Sequence, residues 1–264
     1  MTAPTFADLL KTAVTDPGIL SRAYQQFHQY SLGNQLLAWA QCLDREIPPG
    51  PINTFPGWKA LGRCVRKGQK AITLCMPITV KRRGQAGDTA PADADPDAPE
   101  VFTTFVHKPR WFVLSQTEGE PLAEPEIPAW DRETALTVLD VAEVPFDYVD
   151  GNVMGFARER AIAINPVNPL PHKTRFHELA HVLLGHTAEG QQADSEITPR
   201  TLRECEAESV ALLCCAALDL PGVDEARGYI QSWWTGEIPE RSAQRILKVA
   251  DQILKAGTDQ GVRS

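Results

Sequence analysis

Residues Phe176 to His186 read FHELAHVLLGH, and this stretch decides how the second half of the chain is understood. On a helix, positions four apart project from one face, one turn above the other. His177 and His181 can therefore grip a single ion. Glu178 stands beside the first histidine and can act as a general base on water held there. Ala180, Val182, Leu183 and Leu184 are apolar, as a helix lying under a site requires. Gly185 is placed to end it. The spacing predicts a helix over about 173–184.

Two imidazoles need a third ligand. His186 lies five residues past His181, about 140° round the helix and beyond the cap at Gly185. A metzincin spacing needs a histidine at 187, where Thr187 stands. The next helical pattern, LRECEAESVALLCC from Leu202 to Cys215, offers Glu204, Glu206 and Glu208. Glu204 and Glu208 share a face with Ala211 and Cys215, small residues that let another helix approach. Glu206 lies about 200° from Glu204 and should point elsewhere. Glu204 is the expected ligand, and Glu208 is expected to hold the second N–H of a ligand histidine. Two imidazoles, one carboxylate and an open position suit catalytic zinc, Zn2+. Glu178 would then move the protons of a peptide hydrolysis. The strand pattern AIAIN (161–165) is expected to pair with an extended substrate.

Outward from this helix, the pattern is helical near 131–143, 202–218, 224–234 and 240–256, with Asp131 as an N-cap. The first half reads as helices over 5–15 and from 19 to about 44, then strands at 71–80, 101–108 and 110–117. Strands and helices are segregated, so the predicted class is α+β. Residues 84–100, with five acids and no base, read as a disordered acidic hairpin loop that folding does not need. The Pro/Glu-rich stretch 118–129 is the expected boundary between domains 1–125 and 126–264.

A net charge of −8 over 264 residues disfavours a general nucleic-acid binder but says nothing of local patches. From Pro51 to Arg83 there are eight bases and no acid. Lys59, Arg63, Arg66, Lys67 and Lys70 form its front half, with Trp58 among them. Cations for phosphates and rings for bases are what a single-strand surface uses. The longest apolar run, VALLCCAAL (210–218), is far short of the ~20 residues of a membrane span. The start lacks a basic leader, and the six cysteines contain no C-x-x-C pair. A cytoplasmic protein with reduced thiols and no membrane partner is expected.

The blocks YSLGNQLLAWAQ (30–41), GWKALGRCVRKGQKAI (57–72) and FVLSQTEGEPL (112–122) resemble the N-terminal single-stranded-DNA-binding domain of ArdC-type antirestriction proteins. That resemblance implies a helical and β-hairpin DNA-binding domain joined to a mainly helical, zincin-like metallopeptidase domain similar to SprT/Spartan. HELAH and ECEAESVA also resemble the IrrE/ImmA peptidases, whose ligand glutamate falls on Glu204. Glu208 stands where that pattern often has Asn or Asp, and 84–100 looks like an insertion. The expected partners are single-stranded DNA and an unidentified protein or peptide substrate. The rival readings are a regulatory peptidase that cuts a repressor and a DNA-coating protein whose zinc is not catalytic.

Overall fold

The structure is a computed structural model that describes residues 4–81, 101–122, 129–147, 152–187, 200–233 and 238–258. The expected acidic loop, 84–100, and part of the expected boundary stretch lie outside the described residues. The fold is α+β. Helices α1 (Phe6–Thr15), α2 (Ile19–Phe27) and α3 (Leu32–Asp44) open the chain, followed by β1 (Ile52–Thr54), α4 (Phe55–Ala60), β2 (Arg63–Val65), β3 (Ile72–Lys81), β4 (Val101–Val113) and β5 (Thr117–Gly119). Then come α5 (Arg132–Leu139), β6 (Ala142–Glu143), β7 (Gly155–Arg158), β8 (Ala161–Ile164), α6 (Pro171–Leu183), α7 (Arg200–Ala217), α8 (Val223–Trp233) and α9 (Glu240–Ala256).

Two compact units divide the chain, one of residues 1–40 with 122–264 and the other of 41–121. A single cut at residue 125 does not reproduce this division. The first helices bury their apolar faces with the C-terminal half: Leu9, Leu10, Ala13 and Val14 of α1 and Leu20, Ala23 and Phe27 of α2 are all buried. Glu240, in the first turn of α9, accepts from the Phe6 and Ala7 N–H groups at 3.0 and 2.8 Å. It thereby serves two otherwise orphaned donors of α1. Thr5 and Asp8 close a capping box at the same end. An amphipathic pattern tells that a face will be buried, not against which element, so the sequence left this partner open.

The larger unit is built on α7. Its residues are buried nearly throughout, from Leu202 to Ala217, and α1, α2, α6, α8 and α9 pack on it. A helix apolar all round belongs in a core. The sheet of this unit has the order β6-β8-β7, with β8 parallel to β6 and antiparallel to β7. The helix expected to reach 143 ends at Leu139, because Asp140 turns into the left-handed region (φ 52). Residues 142–143 then join the sheet. Glu143 on β6 takes two hydrogen bonds from the buried Arg175 of α6, at 2.8 and 2.9 Å.

Those bonds from Arg175 hold the Glu143 carboxyl below its ordinary range, against the opposing effect of burial. A carboxyl depressed in the folded state contributes stability that is present above its unfolded pKa, near 4.5. That contribution is lost as the pH falls through the folded value. Thermal midpoints of the protein and of Glu143→Gln should therefore differ most near neutrality and converge as the pH falls below 4.5. A gap that stays constant down to pH 3 would show that the pair does not titrate with folding.

In the smaller unit, β1-β4-β3 form an antiparallel sheet and β2 pairs with β5. The two strands expected at 101–117 are one, β4, although Pro109 lies within it. Proline cannot donate to a ladder. Here the register shifts between Ile72 and Thr73, where Pro109 is paired, and β1 reaches only as far as Trp111. Pro77 lies on β3, an edge strand, as its lack of an N–H requires.

Candidate metal centre

Helix α6 begins with Pro171 in its first turn and runs to Leu183; Leu184 caps it, and Gly185 follows with a φ of 77° that favours glycine. It packs along α7. This pairing brings His177, His181 and Glu204 together, with one donor atom from each inside a 4.8 Å span. The two Nε2 atoms are 3.0 Å apart. Glu204 Oε2 lies 3.5 Å from one and 3.7 Å from the other.

The groups behind the histidines fix their tautomers. Glu208 Oε2 accepts from His177 Nδ1 at 2.8 Å, and Lys173 Nζ steadies the same carboxylate at 2.5 Å. Glu206, fully buried, accepts from His186 Nε2 at 2.9 Å. His186 Nδ1 is then an acceptor, and it takes the Nδ1–H of His181 at 3.0 Å. Each ligand histidine thus has its Nδ1–H engaged and its Nε2 turned inward. Two inward-facing Nε2 atoms 3.0 Å apart beside a carboxylate need a positive charge among them, a shared proton or a cation. The residues therefore fit a divalent cation, and the backing carboxylates are what such a centre needs.

Without an ion, a proton on the imidazoles takes the place of that charge. Burial presses His177 towards neutrality, yet hydrogen bonds to Glu204 and Glu208 outweigh it and lift the imidazole to about 9. Hydrogen bonds from both histidines hold Glu204 far below the carboxylate range. Burial, then the neighbouring charges of Glu204 and Glu208, raises Glu178 to about 7, with His177 opposing. A carboxyl poised near neutrality suits a general base. The centre opens into a cavity of about 360 Å³.

Glu204 faces the two histidines and Glu208 backs His177, while Glu206 is bonded to His186 instead. The backing pair His186 and Glu206 was missed, as was Lys173. His186 follows Gly185, where helical spacing no longer predicts direction. Gly155 was also missed. A Cβ there would stand 2.6 Å from Thr174, 3.0 Å from the Ala163 carbonyl and 3.3 Å from Glu178 Cγ. Only glycine lets β7 lie so close to the base. The strand AIAIN is not free for a substrate either: β8 is paired on both sides. Among the described residues, β7 pairs with β8 alone.

In the smaller unit, Lys59, Arg66, Lys67 and Lys70 are exposed. Trp58 and Arg63 are not surface residues, which corrects their expected place on a DNA-binding face. Trp58 is 1% exposed, and its indole N–H donates to the Phe112 carbonyl at 2.9 Å. Arg63 donates to Thr117 Oγ1 and the Gly119 carbonyl at 2.9 and 3.0 Å and also to the Glu120 carbonyl, so it clamps β5. Among the described residues of this unit, the exposed phenylalanines are Phe55 and Phe105, at 53% and 67%. Phe55 precedes Lys59 by one turn of α4, so the two share a face.

All six cysteines are free thiols. Among the described residues, no helix is long and apolar enough to cross a membrane. Residues 11–105 match the family of the N-terminal domain of anti-restriction factor ArdC. Two crystal structures of the antirestriction ArdC protein from plasmid R388 share the fold at a TM-score of 0.50. The metal-free one is 14% identical and covers 96% of this chain and 97% of its own. The Mn(II)-bound one is 18% identical, with coverage of 96% and 99%. No curated protein matches the chain.

Proposed function

We propose that the chain, whose residues 11–105 match the family of the N-terminal domain of anti-restriction factor ArdC, is a single-stranded-DNA-binding antirestriction protein with a metallopeptidase-type centre. The observation that carries the second half is the convergence of His177, His181 and Glu204 with Glu178 beside them. A divalent ion, by its donor set zinc, would be held by those three and would supply Lewis acidity to a substrate carbonyl and acidity to water. Glu178 takes the proton of the attacking water and returns it to the leaving amine nitrogen. Glu208 and the His186–Glu206 pair keep the imidazoles oriented throughout. The solved relative with Mn(II) supports a divalent ion in this fold. In this reading the DNA-binding cations belong to the unit of residues 41–121 and the peptidase-type centre to the unit of residues 1–40 with 122–264.

For DNA, Lys59, Arg66, Lys67 and Lys70 provide phosphate contacts, and Phe55 provides a ring on which a base can stack. The full-length protein should bind an oligo-dT single strand more tightly than a duplex of equal length. The slope of log affinity against log salt should flatten by about 0.7 for each phosphate contact removed when these four cations are changed to Gln. Equal affinity for duplex and single strand, or binding indifferent to salt, would sink the DNA half. Elemental analysis of purified protein, followed by peptide-cleavage assays with and without the single strand, tests the other half.

A further inference from the structure

The cavity over the metal centre has a second wall that the centre does not use. Arg200 and Arg203, one turn apart on α7, line it. Arg203 Nε is buried with no hydrogen-bond partner. Among the described residues, no carboxylate makes an ion pair with either guanidinium. Glu204 faces His177 and His181, and Glu206 and Glu208 are held by His186 and by His177 with Lys173. A buried guanidinium donor without an acceptor is costly, and the natural acceptor for such a fork is a planar anion. Phe156 and Ala157 of β7 also line the cavity.

We propose that Arg203, with Arg200 at the rim, forms a carboxylate-binding subsite beside the metal centre, and that the chain selects peptides carrying an acidic residue close to the bond presented to Glu178. The inference rests on the metallopeptidase-type reading of His177, His181 and Glu204. With an ion in place, the two arginines leave the cavity with surplus positive charge, which an acidic side chain balances. Arg203 acts here as a specificity residue; it need not touch the reacting atoms.

Two small chelators separate this idea from the reading beneath it. Acetohydroxamic acid tests for an ion with an open position. Succinic monohydroxamate adds a carboxylate two carbons away. Titrated into metal-loaded, full-length protein, the succinic compound should bind roughly 10- to 100-fold tighter, as charge-assisted hydrogen bonds to a guanidinium allow. Arg203→Gln should erase that difference, and Arg203→Lys should restore part of it. Equal binding of both compounds to the unmutated protein overturns the subsite and leaves the metal centre standing. Binding of neither overturns the centre and the subsite together. Displacement of the succinic compound alone by a short oligo-dT would assign the arginines to phosphate and overturn the peptide proposal.

Discussion

Replacing His177 or His181 by Ala should leave the purified protein without stoichiometric metal. Either change removes one of only two nitrogen donors and leaves the other imidazole facing Glu204 across an unfilled gap. Glu178→Gln should keep the ion and abolish any peptidase activity, because it removes the proton acceptor and no ligand. Glu204→Ala should weaken binding severely. Glu208→Gln should cost about 10- to 100-fold in metal affinity, the usual effect of losing a group behind a ligand histidine. Glu206→Gln should act in the same direction through His186. Metal content by elemental analysis and affinity by chelator competition read all of these. Full occupancy in Glu204→Ala, with loss in Glu206→Ala instead, would reverse the assignment of ligand and support.

Two aromatic residues three positions apart should behave oppositely. Trp58→Ala should destabilise the smaller unit by about 3–5 kcal/mol, the range for truncating a large buried aromatic side chain. The Phe112 carbonyl would also lose its donor. Against a typical domain stability of about 5–15 kcal/mol, that removes a large share. Phe55→Ala should leave the thermal midpoint nearly unmoved, because the ring is 53% exposed. It should weaken single-strand binding by about 1–3 kcal/mol if one base stacks there, with the salt slope intact. Differential scanning calorimetry and anisotropy titration read the two effects. A stable Trp58→Ala that loses DNA, or a Phe55→Ala that binds as before, would return the stacking role to the tryptophan or deny it to both.

What the sequence by itself determined is what runs along one element. His177, Glu178 and His181 are fixed relative to one another by a single helix. The repeat of the next helix separated Glu204 and Glu208 from Glu206 before any packing was known. Gly185 and Asp131 marked helix ends because capping is a matter of a few adjacent residues. What only the tertiary structure decided is where two elements meet. Trp58 reads equally well as a platform or as core, and the choice depends on whether Phe112 on β4 offers it a carbonyl. Arg63 sits in a basic run yet is drawn inward by Thr117, Gly119 and Glu120, more than fifty residues on. The His181–His186–Glu206 chain crosses between helices, and the first two helices bury their faces with the C-terminal half. Periodicity tells how much of a residue's surroundings must be apolar. It carries no information about which distant donor or acceptor will satisfy a buried polar group, because that partner is fixed only when the faces close on one another.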